Sequence, residues 1–205
     1  YRATHPLRIL IEPQKELEMI RSYIRMAEQS DRGWMPTFPE VTGDSHRMNG
    51  NHAVAVIWDA YCKGLGDFDL EAAYEACKGA ITEKTLLPWL RLPVTELDKF
   101  YQEKGYFPAL GVDEKETCAA VHSFEKRQAI SVMLGNCYDS WCLAQIAKVL
   151  NKPEEYKRFM KMSYTYRNVY NAETGFFHPK NKDGQFIFAQ VIGNLVRNAL
   201  KFTEM

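Results

Sequence analysis

The segment that most constrains the fold is a stretch from Ala53 to Tyr61 that is helical in pattern and apolar on nearly every side. Asp59 is its only charged residue, and a helix without a polar face has to be enclosed by other helices. A polar loop rich in Gly, Pro, Asp, Asn and His, residues 33–52, runs directly into this helix. Loops of this kind, held by a buried scaffold, are where binding and catalytic side chains concentrate. The sequence therefore predicts a helical core with a functional loop at its mouth.

Charge and hydropathy exclude several classes of function. The 26 basic residues balance 26 acidic ones, which leaves no electrostatic footprint for nucleic acid. No basic amphipathic segment indicates binding to a membrane surface. No apolar run approaches the roughly 20 residues that a bilayer-spanning helix needs. We expect neither a nucleic-acid partner nor a membrane span; no signal peptide is visible, and the sequence begins with Tyr and not Met.

The sequence also lacks the common short motifs of metal and nucleotide sites. Its five cysteines form no CxxC pair, and an odd number cannot all be bridged. They lie within helical patterns, which favours small buried residues. His46 and His52 lie six residues apart in a Gly- and Asn-rich loop, a spacing that no zinc motif has. GxSxG, Walker and Rossmann patterns are absent, which argues against a serine-hydrolase elbow, an NTPase and a dinucleotide enzyme.

Helical periodicity dominates the rest of the chain. Start signals predict helices beginning at Pro13, Asp69, Thr95 and Pro153. A longer helical stretch is expected over residues 127–150, interrupted at Gly135 and Asn136, and the last helix is expected to bring Tyr166 and Tyr170 inward. Near the C-terminus, residues 181–184 have the composition of a β-hairpin turn.

Amphipathic helices alternate with nearly all-apolar ones, which predicts antiparallel helical hairpins. Their irregular spacing argues against a tandem solenoid. The predicted fold class is therefore all-α: part of an (α/α)6 toroid with a short β-hairpin near the C-terminus. About six predicted helices amount to half of a twelve-helix ring, so residues 1–205 are expected to be a single segment of such a domain.

Seven segments together resemble one known family, the family 92 glycoside hydrolases, which are calcium-dependent α-mannosidases. They occur in the family's order over almost the whole chain, and they are YRATHPL (1–7), GWMPTFPE (33–40), MNGNHAVAVIWDAYCKG (48–64), GYFPAL (105–110), VHSFEKRQAISVML (121–134), YDSWCLAQIAKVL (138–150) and YRNVYNAETGFFHPK (166–180).

The resemblance implies an N-terminal β-sandwich followed by an (α/α)6 catalytic barrel, of which this chain would lack the sandwich and the C-terminal half. It implies hydrolysis of terminal α-mannosides of N-glycans or mannans, with Ca²⁺ as cofactor. It implies inversion at the anomeric carbon, which needs one carboxylic acid and a second carboxylate that activates water. The partners would be an α-mannoside oligosaccharide and the missing parts of the same enzyme. A secreted, periplasmic or cell-surface location in a bacterium is expected.

Several site residues follow from matching these motifs. Glu204, in Thr-Glu-Met near the C-terminus, corresponds to the family's general acid; the base motif has no counterpart here. Asn51 and His52 match the loop at the barrel mouth and would bind sugar hydroxyls, although His52 could instead orient its own helix. Arg2 matches a site-facing arginine, for which a structural ion pair is an equal account. Trp34, in the mouth loop, is the candidate for stacking on a sugar.

Other matches indicate supporting residues or departures from the family. Glu125, Arg127 and Gln128 match a polar run that would lie behind the ligand-contacting groups. Where the family usually has Glu and Asp, this chain has Gly135 and Ser140. These departures support an alternative function, in which the chain is a non-catalytic or altered-specificity glycan-binding homologue. A third possibility is a toroid enzyme that acts on another glycan. The metal ligands cannot be assigned from the sequence.

Overall fold

The structure, a computed structural model, describes residues 3–111 and 113–188. Seven α-helices, one 3₁₀ helix and four short strands lie in these ranges. The helices are α1 Thr4–Ile11, α2 Pro13–Glu28, α3 Ala53–Cys62, α4 Leu70–Thr82, α5 Glu96–Lys104, α6 Ala129–Val149 and α7 Pro153–Ser163, with the 3₁₀ helix η1 at Thr165–Val169. The strands are β1 Pro39–Glu40, β2 Gly43–Asp44, β3 Tyr170–Asn171 and β4 Phe176–Phe177.

Local chemistry sets the ends of several helices where the sequence predicts them. At the start of α4 the Asp69 side chain accepts the backbone N–H of Ala72 at 2.9 Å. At the start of α5, Thr95 and Asp98 form a capping box, in which the backbone N–H of Thr95 donates to the Asp98 carboxylate at 2.7 Å. Gly105 ends α5 in the left-handed conformation, φ +75°, which costs glycine little. These caps confirm the predicted boundaries.

Two predictions about the longer helices are wrong. Helix α6 runs without a break through Gly135 and Asn136, because burial of most of its side chains outweighs the roughly 1 kcal/mol cost of an internal glycine. Helix α7 ends at Ser163, and the chain continues as η1 and β3. Tyr170 is consequently in a strand and 46% exposed, and not on the inner face of a helix.

Helix α6 is shared by both parts of the hydrophobic core. Its C-terminal half, with Leu143 and Ile146, packs with α2, α3, α4 and α7. Its N-terminal half, with Val132 and Met133, packs with α5 and the segment around Phe107. All four side chains on α6 have 1% exposure or less. The position of α6 is therefore fixed from both ends, which matters because the candidate site is built on it.

The strands form two antiparallel hairpins, β1–β2 and β3–β4. The predicted turn at 181–184 is also present, since Lys180 and Phe186 form an antiparallel bridge across it. Phe177, however, pairs with Tyr170 and not across that turn. The helical hairpins fit part of a helical domain; a closed toroid stays a prediction.

Two expectations drawn from composition can be compared with the structure. Within the described ranges no helix is both long and apolar enough to cross a bilayer. Four cysteines, Cys77, Cys118, Cys137 and Cys142, are buried as expected, whereas Cys62 at the end of α3 is exposed. The prediction of a core position is thus wrong for Cys62 alone among the five.

Candidate functional site

A buried carboxylate on α6 holds the mouth loop, residues 48–52, in place. The Asp139 side chain has no exposed surface. One of its oxygens, Oδ2, accepts the backbone N–H of Asn51 at 2.8 Å, and Oδ1 lies 2.7 Å from Nδ1 of His52. Hydrogen bonds to an ionised acceptor are short and strong. Asp139 therefore fixes Asn51 and His52, the two mouth-loop residues predicted from the sequence.

Two glycines make room for the imidazole of His52. A Cβ on Gly135 would lie 3.3 Å from Cε1 of His52, and a Cβ on Gly50 would lie 2.6 Å from its Nε2. Gly50 also has φ +83°, a backbone conformation that other residues rarely adopt. The position at which the resembling family usually has Glu thus faces the His52 ring, and here it carries no side chain.

A chain of amides braces the same loop from the start of α6. Asn49 donates to Oε1 of Gln128 at 2.7 Å, and Gln128 donates to Oε2 of Glu125 at 2.6 Å. Lys126 and Gln128 have φ values of +59° and +46°, which cost about 1–3 kcal/mol each in non-glycine residues and tend to occur at functional sites. Glu125 and Gln128 therefore connect the loop to the start of α6, and their supporting role behind ligand-contacting groups stays a prediction.

Arg127 points away from the mouth loop into a separate contact. Its Nε and Nη2 donate to the two carboxylate oxygens of Glu116, both at 2.7 Å, and its Nη1 donates to the carbonyl of Pro108 at 3.0 Å. The side chain is 5% exposed. Hydrogen bonds from Arg127 hold the pKa of Glu116 below its usual value, although partial burial opposes this. Arg127 thus ties the segment before α6 to the core.

The structure argues against the stacking role predicted for Trp34. The ring is 4% exposed, and its Nε1 donates to Oε2 of Glu83 at 3.1 Å. A Cβ on Gly79 would lie 2.9 Å from the indole, so the ring is packed closely against α4. The loop therefore begins in the core and not at the mouth, which explains the failure of the prediction.

The remaining predicted groups give no complete site. Arg2 and Glu204 lie outside the described residues, so their roles stay predictions. Asn51 is 4% exposed, and its Oδ1 is buried without a hydrogen-bond partner in the described part of the chain. Residues 3–111 and 113–188 contain no group of three or more His, Cys, Asp or Glu that could hold a metal ion.

Sequence reasoning did not identify Asp139 and Lys84 as important to the site. The sequence does contain a feature that could have identified Asp139: it is a carboxylate among the apolar residues of α6, and a buried carboxylate needs hydrogen-bond partners. Lys84 carries no such signal. It is 5% exposed and donates to Oγ1 of Thr37. Burial lowers the pKa of Lys84 to about 8, although the charges of Asp44 and Asp139 oppose this.

The contribution of Lys84 to the stability of the chain is expected to rise with pH. Its pKa is about 8 in the folded chain and 10.5 ordinarily, so the unfolded chain binds more protons at Lys84 between these values. This contribution should then increase by about 3 kcal/mol from pH 8 to 10.5, whereas the buried thiols of Cys77 and Cys142, whose pKa values burial raises, lower stability over the same range. The free energy of urea unfolding of the unmodified chain minus that of Lys84→Met should therefore increase across this range. The same difference for Lys63→Met, at a more exposed lysine, should stay constant, and equal pH dependence of all three proteins would contradict the assignment.

Solved structures and a curated relative resemble this chain. An inverting mannosidase of family GH92 from Bacteroides thetaiotaomicron superposes with a TM-score of 0.72 at 26% identity, covering 90% of this chain and 22% of that chain. An α-mannosidase of the same family and bacterium gives 0.70 at 24% identity, with 90% and 22% coverage. A protein described as an uncharacterized secreted glycosidase from Arthroderma benhamiae is 24% identical over 185 residues, which are 79% of this chain and 21% of that protein.

The chain thus spans about one fifth of the length of the relatives that it matches. The family model for the glycosyl hydrolase family 92 catalytic domain matches residues 1–204. This match includes the mouth loop, the bracing residues at the start of α6 and Asp139. Because it extends over nearly the entire sequence, the chain belongs to glycosyl hydrolase family 92.

Proposed function

We propose that this chain forms part of the catalytic domain of a glycoside hydrolase that removes terminal α-mannosyl residues. The proposal rests on one observation made in a chain of this family: the buried Asp139 holds Asn51 and His52 in place through hydrogen bonds. Family members with solved structures that resemble it are described as mannosidases. Since the chain covers only a part of those proteins, the activity is proposed for the longer protein of which it is a segment.

The mouth loop is suited to bind sugar hydroxyls. A hydroxyl both donates and accepts hydrogen bonds, and it can reach the side chain of His52, which is 22% exposed, whereas Asn51 is 4% exposed with its Oδ1 buried. His52 has Nδ1 bound to Asp139, which fixes the orientation of its ring. Groups fixed before the ligand arrives lose little entropy on binding. We therefore assign ligand contact to His52 and assign to Asn51 the support of the loop that presents it.

The described residues supply a binding surface and not the full chemistry. Inverting hydrolysis needs an acid and a base on opposite sides of the glycosidic bond. Asp139 is completely buried and Glu125 accepts from Gln128, so both serve to orient other groups. Glu204 is proposed as the acid, with the base provided by another part of the protein. Calcium is proposed from the family resemblance with ligands from elsewhere, and no step is derived through it.

The substrate and location are proposed on the same basis. N-glycans or mannans carry terminal α-mannosides, and a curated relative is described as a secreted glycosidase. A secreted, periplasmic or surface enzyme would meet such polymers. The alternative, a glycan-binding protein without turnover, is favoured by one observation: Gly135 presents no carboxylate to His52 where the family usually has Glu.

Two proteins compared side by side test the proposed function. The 205-residue chain should release no mannose from an α-1,2-linked mannobiose, with or without calcium, because it lacks the second carboxylate. The longer protein should release mannose, and proton NMR should show the inverted β-anomer first.

Asn51→Ala and His52→Ala should lower kcat/KM about 10- to 100-fold, whereas Gln145→Ala, on α6 but outside the mouth, should not. Mannose release by the chain alone would contradict the proposal, and binding without turnover by the longer protein would favour the alternative.

A further inference from the structure

A second polar site lies between α2 and the β1–β2 hairpin. It is a cleft of ≈ 410 Å³, and residues 34, 36 and 41–44 of the polar loop 33–52 line it, but residues 48–52 do not. This volume is within the range typical of small-molecule sites, roughly 300–1,000 Å³. Polar side chains from three parts of the chain converge on it, among them Ser22, Arg25, Gln29, Thr42, Asp44 and Arg91. The cleft is therefore large enough and polar enough to accept a small ligand.

Two arginines give the cleft positive charge. The Arg25 side chain is exposed, and its guanidinium forms no hydrogen bond or ion pair within residues 3–111 and 113–188. Arg91 lies 3.1 Å from Asp31, whose side chain is 74% exposed. An ion pair with so exposed a partner is weak, about 0–1 kcal/mol, so an incoming anion can compete for Arg91.

One carboxylate in the wall of the cleft offsets part of this positive charge. Asp44 accepts the backbone N–H groups of Thr37, Phe38 and His46 at 2.8, 2.8 and 3.1 Å, and it lies 2.7 Å from Nδ1 of His46. Its side chain is 9% exposed. Burial opposes ionisation, but these backbone hydrogen bonds outweigh it and hold the pKa of Asp44 below its usual value. Asp44 is therefore ionised and held by its own loop, and two guanidinium groups against one carboxylate leave the wall with a net positive charge.

The neutral part of the wall can bind hydroxyl groups. Ser22, Gln29 and Thr42 line the cleft, and their side chains form no hydrogen bond to other groups in the described ranges. Hydroxyl and amide groups both donate and accept, which suits the hydroxyls of a sugar ring. A guanidinium binds carboxylate and phosphate oxygens in pairs. We propose that this cleft binds an anionic group, carboxylate or phosphate, that is carried by a sugar.

Calorimetric titration of the 205-residue chain tests this proposal. The probes are glucuronate, inorganic phosphate and, as the uncharged comparison, mannose. Both anions should bind to the unmodified chain, and mannose should bind at least tenfold more weakly than glucuronate. Arg25→Ala should weaken glucuronate binding at least tenfold. The matched control is Arg21→Ala, one turn earlier on α2, where the arginine pairs with Asp67 outside the cleft; it should bind glucuronate normally.

The outcomes separate the two sources of the charge and can overturn the proposal. Tighter binding of glucuronate than of phosphate favours a carboxylate as the anionic group, and the reverse favours a phosphate; both support the proposal. Absence of anion binding, equal loss in Arg21→Ala and Arg25→Ala, or mannose binding equal to that of glucuronate would overturn it. Equal thermal midpoints of the two variants show that both remain folded. None of these results depends on mannosidase activity, so the cleft and the proposed function can fail separately.

Discussion

Replacing Asp139 by asparagine is expected to lower the free energy of unfolding of the chain by about 3 kcal/mol. The carboxylate is fully buried and accepts from the backbone of Asn51 and from the ring of His52. Asparagine has nearly the same shape but only one accepting oxygen, so one of these partners is left without its acceptor in a buried place. Urea unfolding of the two proteins measures the difference.

A matched exposed aspartate provides the control. Asp59, on α3, pairs with Lys63 four residues later, and its side chain is 35% exposed. Asp59→Asn should change stability by less than about 0.5 kcal/mol. In the longer protein Asp139→Asn should also lower kcat/KM about 10- to 100-fold, because His52 loses its fixed orientation. Equal effects of the two substitutions would refute the role of Asp139 as the support of the mouth loop.

Replacing Arg127 by alanine is expected to destabilise the chain by about 2 kcal/mol. The change removes two hydrogen bonds to Glu116 and one to the buried carbonyl of Pro108. Glu116 is exposed as a residue and is then hydrated, so most of the loss comes from the packing and hydrogen bonds of the buried guanidinium. Arg127→Lys should recover little of the loss, because an ammonium cannot form the paired contact of a guanidinium.

The pH dependence of this effect provides an internal check. The pKa of Glu116 is lowered in the folded chain, so its contribution is fully present above its ordinary value of 4.5 and is lost as pH falls below it. The stability difference between unmodified chain and Arg127→Ala should therefore shrink in acid. Arg158→Ala removes a pair at 3.6 Å from a 52% exposed side chain and should change little at any pH. A constant difference down to pH 2 would contradict the ion-pair account.

Local signals in the sequence were sufficient for the helix starts. Asp69 and the Thr95–Asp98 pair satisfy free N–H groups only a few residues away, so their effect can be derived without knowledge of the fold. The continuity of α6 could not be derived in this way. Its glycine at 135 is unfavourable locally, and only the packing of distant segments around it overrides that preference.

The loop residues of the site could be predicted from the sequence, but the carboxylate that holds them could not. His52 and Asn51 adjoin the apolar helix that revealed the mouth, but Asp139 lies 87 and 88 positions further along the chain. No local pattern specifies a contact at such a separation. Trp34 was assigned wrongly for the same reason, since its burial against Gly79 arises from tertiary packing.

The burial of α6 on both halves has a consequence for the timing of ligand binding. Most side chains of α6 are buried, although Tyr138 and Trp141 are exposed. We expect the amide hydrogens on its buried side to exchange slowly with solvent, because exchange there requires the surrounding packing to open. The groups anchored to Asp139 are thus attached to a well-packed part of the molecule. We therefore expect the Asn51 backbone and the His52 ring to be held in place before any ligand binds.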